Sequence, residues 1–174
     1  MSDYNTKKID DNPVQVPRIL ADGTHDVLDL CQKIKFMSAE LHHYFADLYK
    51  EDRDSLLLWK RIAMEEENNA KEFALVAKLK RQNVIHSLRI EPVEAEVMYI
   101  YLQTLLEKLK ELPPSPKDAL EIAIKVEEKL TPFHMNSIIK FSDPSFRKLF
   151  YAAILSDRQR IETFRKSLKQ MVKV

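Results

Sequence analysis

Apolar residues recur along most of this chain at alternating steps of three and four, the signature of helices with one buried face. Leu30, Ile34, Met37, Leu41, Tyr44 and Leu48 predict a first helix running to about Tyr49, with Thr24 a candidate N-cap. The charged stretch Glu51 to Asp54 makes the connection to a second helix, which reaches about Gln82. Its stripe is Trp59, Ile62, Glu66, Asn69, Phe73 and Val76. A third helix is expected from Pro92 to about Leu112, with Val93, Val97, Ile100, Tyr101 and Thr104 on one face, and Pro113, Pro114 and Pro116 stop it. The fourth, beginning near Pro116, carries Leu120, Ala123, Glu127, Leu130 and His134 in line, and Pro132 should kink it by removing a backbone donor. The fifth follows Ser142-Asp143-Pro144 and ends near Lys169, with Phe146, Leu149, Ala153, Asp157, Arg160, Phe164 and Met171 as its stripe. Residues 1–22 are polar, carry Pro13 and Pro17, and read as an extended N-terminal arm; residues 23–174 read as one helical domain. Four long seams in two pairs, with one helix crossing between the pairs, predict an all-α bundle.

Charged and amide side chains sit inside those seams. Leu58–Phe73, LWKRIAMEEENNAKEF, is echoed 91 residues later by Leu149–Phe164, LFYAAILSDRQRIETF. Leu58 then matches Leu149, Trp59 matches Phe150, Glu66 matches Asp157, Asn69 matches Arg160 and Phe73 matches Phe164. Each half therefore buries a carboxylate with a polar residue one turn on.

Composition narrows the classes without choosing one. The single glycine, Gly23, argues against β-rich folds and the glycine loops that cradle phosphates. A net charge of +1 gives no reason to expect nucleic acid, and no apolar run is long enough to span a bilayer. The lone Cys31 falls in a helical pattern, reads as buried filler, and suits a reducing, cytoplasmic location.

An ionised carboxylate in a dry core is costly unless it is paired, hydrogen-bonded or bound to metal. Glu40, Glu66, Glu127 and Asp157 give one carboxylate to each of the four bundle helices. At one level they are candidate ligands for iron or manganese, two ions offsetting their mutual repulsion. His43, one turn from Glu40, and His134, two turns from Glu127, are candidate additional ligands. The competing reading is structural: Arg160 supplies the positive charge and holds Asp157, Glu66 or Glu127 in a buried ion-pair network. His25, His42 and His86 have no such setting and read as surface or boundary residues.

The residues 26–170, through SAELHHYFADLY, LWKRIAMEEENNAKEF, ALEIAIKVEEKLTPFH and LFYAAILSDRQRIETF, resemble the rubrerythrin branch of the ferritin-like superfamily of di-iron-carboxylate four-helix bundles. The resemblance implies single glutamates on helices one and four, where Glu40 and Glu127 stand. It also implies Glu-x-x-His on helices two and five, where Glu66 and Asp157 hold the acidic places but Asn69 and Arg160 replace the histidines. An amide carbonyl is a weak ligand and a guanidinium is none. One cysteine leaves no rubredoxin-type iron centre, so a redox role on peroxide or oxygen would need an external electron donor.

Two functions follow from the resemblance. One is a metal-binding oxidoreductase with an altered site. The other is a non-catalytic bundle in which Arg160 takes the metal's charge and function runs through protein association, as the homodimer such proteins often form. A third reading makes Trp59, Phe73, His134 and Phe164 the lining of a small-molecule pocket.

Overall fold

A computed structural model describes residues 27–82, 85, 88–139 and 144–171. The N-terminal arm, Gly23, Thr24, His25 and His86 lie outside the described residues. The fold is all-α: α1 (Val27–Leu48), α2 (Arg53–Arg81), α3 (Pro92–Glu111), α4 (Pro116–Leu130), α5 (Met135–Ile138), α6 (Pro144–Leu149) and α7 (Tyr151–Met171). Among the described residues the extended backbone amounts to one isolated antiparallel bridge, Leu88 with Ile139. No helix is long and apolar enough to cross a membrane.

Helix boundaries follow local chemistry. Asp52 caps α2 by accepting from the Ser55 backbone amide at 3.2 Å. Glu91 and Glu94 form a reciprocal capping box at the start of α3, followed by Pro92 in the first turn. Ser115 accepts from the Asp118 amide at 3.2 Å to begin α4. Pro132 does more than kink α4. The Glu128 carbonyl, which Pro132 cannot serve, accepts instead from Thr131, so the helix tightens into a 3₁₀ turn over Thr131–Phe133. His134 then leaves the helical region at φ −75°, ψ 146° before the short α5.

α1 lies along α2 and also against α3; α4 lies along α7, and α7 meets α2. Two tyrosines on α1 fasten the far end of α3: Tyr44 Oη donates to the Leu109 carbonyl and Tyr49 Oη to the Pro114 carbonyl, both at 2.7 Å. The apolar core runs from Leu28, Ile34, Leu41 and Phe45 through Trp59, Ile62, Phe73 and Val76 to Leu120, Ala123, Leu130, Phe150 and Phe164.

The stripe on α2 is buried at every position expected, and so is that on α4. On α3 the burying face is the other one: Ala95, Met98, Leu102, Leu106 and Leu109 point inward while Val93 and Val97 are exposed. That helix is apolar on two sides, so its period alone does not choose between them. The fifth predicted helix breaks at Phe150. α6 ends before it and α7 begins after it, which buries Phe150 and turns Leu149 out to solvent.

Candidate functional site

Four helices each send at least one charged side chain to a single buried cluster. α1 contributes Lys35, α2 Glu66 with Asn69, α4 Glu127, and α7 Asp157 with Arg160, all buried. Each stands on the inward stripe of its helix, so helical period carries these groups inside with their apolar neighbours.

Arg160 is the hub. Its Nη1 donates to Glu66 Oε1 in a very short contact, to Glu127 Oε2 at 3.2 Å and to Asp157 Oδ1 at 3.4 Å. Its Nη2 lies 3.9 Å from Glu65 Oε2, at the edge of the cluster. Lys35 is the second cation. Its Nζ lies 3.2 Å from Glu66 Oε2 and 3.2 Å from Asp157 Oδ1. Asn69 completes the arrangement by donating from Nδ2 to the same Asp157 oxygen at 3.0 Å. Beyond Glu127, His134 Nε2 stands 3.8 Å from Oε2, an ion-pair distance too long for a hydrogen bond.

The electrostatics follow from this geometry. Burial acts to raise the Glu127 carboxyl, but Arg160 above all, with His134 and Lys35 adding, holds it well below the usual carboxylate range. Asp157 is treated likewise: burial opposes, while Lys35, His134 and Arg160 together keep it low. For Lys35 the burial that would lower its ammonium is outweighed by Asp157 and Glu66, and its pKa rises. Glu66 goes the other way, because burial exceeds the attraction of Arg160 and Lys35 and pushes its carboxyl up. Two cations face three carboxylates, so one acid in the set has no counter-charge of its own and is the one to keep a proton.

Next to this cluster sits His42, fully buried on α1. Its ring stacks on Trp59 (centroids 5.7 Å apart, planes 17°) and on Phe164 (5.7 Å, 26°), and neither ring nitrogen has a hydrogen-bond partner. Burial lowers its pKa from 6.5 to about 4, so the imidazole is neutral at physiological pH. The surface or boundary position expected of His42 is therefore incorrect. It lies four residues beyond the buried Ser38 and seven beyond Lys35, on one inward face of α1.

The residues singled out from sequence divide in two. Glu66, Glu127, Asp157 and His134 come together, with Asn69 and Arg160 among them. Glu40 and His43 do not. Glu40 is 54% exposed and pairs with Lys110 of α3 at 3.4 Å, and His43 pairs with Glu67 at 2.7 Å on the outer surface. The first helix turns a different face inward from the one the Glu40–His43 flank required, so Lys35 occupies the level where a glutamate was expected. Lys35 has a sequence signal, since it stands next to the core residue Ile34 and seven before His42, but a lysine on that flank reads as a solvated residue. Because Glu40 makes only a surface ion pair, Glu40→Gln should change unfolding free energy by less than about 1 kcal/mol in urea titrations.

No protein-family model, curated protein or solved structure matches this chain. The cluster's chemistry rests on its own geometry.

That geometry does not fit a di-metal centre. The carboxylate oxygens turned toward the middle of the cluster are taken by guanidinium and ammonium nitrogens, and a cation in that space would face both positive groups. Among the described residues no group of three or more His, Cys, Asp or Glu is arranged to hold a metal ion. The small-molecule reading gains no support: the Trp59 and Phe164 rings are filled against each other, 5.3 Å apart, and against His42.

Proposed function

We propose that this protein is a ferritin-like bundle, related to the rubrerythrin branch, that works without metal and acts through protein association, as a homodimer. The observation that carries the reading is Arg160 Nη1, which meets carboxylates from α2, α4 and α7 at the level where the resemblance expects a metal. A guanidinium has no redox chemistry and no open coordination position, so peroxide or oxygen reduction has no reactive centre there. What remains is a rigid helical body whose surface does the work.

The outer face of α2 supports association with a second copy. Leu57, Met64 and Leu75, spaced seven and eleven residues apart, fall on one side of the helix and are 54%, 59% and 44% exposed. A shallow hollow lined by Asp54, Leu57, Leu58 and Arg61 lies at the start of the same face. Arg61 and Glu65, 3.8 Å apart, flank Met64 with one charge of each sign. A patch that carries both signs beside its apolar centre can pair with itself across a two-fold axis.

Two measurements test this reading. Protein grown with iron and manganese and purified without a metal-affinity tag should contain no stoichiometric transition metal by elemental analysis. Sedimentation velocity should give a dimer that Leu57→Glu with Met64→Glu converts to monomer while the helical circular dichroism is unchanged. Stoichiometric metal lost on Glu66→Ala would restore the oxidoreductase reading, with Glu66, Glu127, Asp157 and His134 as its ligands. A monomeric wild type would remove the association.

A further inference from the structure

We infer that Lys35 and Arg160 together stand in the two metal places of a di-metal centre, so that the ligand shell survives as a charge-exchanged cage that a few substitutions would return to metal binding. The inference rests on the metal-free reading above and adds to it the second cation and the recoverable site.

The argument starts from what each helix delivers. α2, α4 and α7 still present Glu66, Glu127 and Asp157 to one point. The departures are the two cations and Asn69. α1 delivers Lys35 where a carboxylate is expected, and α7 delivers Arg160 where an imidazole is expected. The two cations divide the carboxylates as two ions would. Glu66 is shared, with Oε1 on Arg160 and Oε2 on Lys35, in the manner of a bridging carboxylate. Glu127 belongs to Arg160. Asp157 Oδ1 takes both nitrogens, together with the Asn69 amide.

Charge follows the same logic. A cage of four carboxylates balances two divalent ions. Exchanging one carboxylate for Lys35 and each ion for a monocation lowers both signs together. Unused donor atoms remain in the cage: Glu127 Oε1, Asp157 Oδ2 and His134 Nε2 are buried and have no hydrogen-bond partner. Those are an imidazole nitrogen and two carboxylate oxygens, a donor set suited to manganese, iron or cobalt.

The test combines Lys35→Glu, Asn69→His and Arg160→His in the full chain. Wild type and variant are each equilibrated with cobalt(II), dialysed and measured by elemental analysis and by visible ligand-field absorption. The expected result is stoichiometric cobalt with such a band in the variant and none in wild type. A folded variant without cobalt overturns the inference while leaving the metal-free reading intact; cobalt bound by the wild-type cluster overturns both. Arg160→His alone covers failure of the triple variant to fold. Its thermal midpoint should rise when cobalt or manganese is added, or its helical signal should be recovered by the metal. A variant that neither metal stabilises or refolds overturns the inference.

Discussion

Replacing Arg160 with alanine is expected to destabilise the protein by about 3–5 kcal/mol, the range for removing one partner from a buried ion network. The size follows from what is left behind. Glu66, Glu127 and Asp157 would share Lys35 alone, and Glu127, whose strongest stabilising partner is Arg160, would retain His134 at 3.8 Å. Each orphaned carboxylate must then take up a proton or draw water into a core that packs Leu120, Ala123, Val126 and Phe164 nearby. Urea unfolding at neutral pH measures the loss. The contrast with Glu40→Gln is part of the expectation, because both residues were candidates for the same site and only Arg160 is buried. An Arg160→Ala variant within about 1 kcal/mol of wild type would mean that the cluster is solvated and that its pairs resemble surface ones.

His42 sets the second large effect, on the acid side. Its folded pKa of about 4 lies below the ordinary 6.5, so the fold holds the neutral imidazole. The stability this contributes is fully present above pH 6.5 and is lost as pH falls toward 4, roughly 3 kcal/mol over that window. His42→Phe keeps a ring between Trp59 and Phe164 and removes two unpartnered nitrogens. The variant should unfold at higher urea than wild type, and the gap should widen from pH 6.5 to 4.5. Glu127 and Asp157, held low, add their own acid loss only below the ordinary carboxylate range, in both proteins alike. Glu66, held high, has the opposite sign, its contribution present in acid and lost as pH rises through its raised pKa. Equal pH slopes in wild type and variant would show that the buried imidazole is not what titrates.

The helices and most of their buried faces were legible because burial imposes a period. Trp59, Ile62, Glu66, Asn69, Phe73 and Val76 could be read as one stripe with the two polar members included, and all six are buried. That Glu66, Glu127, Asp157 and Arg160 sit inside was legible for the same reason. Lys35 and His42 were not. On α1 the apolar residues Ile34, Leu41 and Phe45 and the polar residues Lys35, Ser38 and His42 share the buried surface, so the polar half looks like a solvated flank. Only the partners across the core, Glu66 and Asp157, distinguish Lys35 from any surface lysine, and those contacts are not local in sequence. The face of α3 was ambiguous because both sides are apolar. The break at Phe150 leaves no mark on a period of three and four that runs through it.

The contact between Lys35 and Asp157 joins residues 122 apart, the first described helix to the last. Apolar seams of leucine, alanine and phenylalanine tolerate sliding, since a shift of one turn, about 5.4 Å, brings similar side chains opposite one another. The ion cluster does not tolerate it. Moving α7 by one turn would carry Arg160 away from Glu66 and Glu127 and strand several charges in a dry interior. The cluster thus acts as a key that fixes the axial register of four helices, excluding neighbouring alignments that a purely greasy interior would allow.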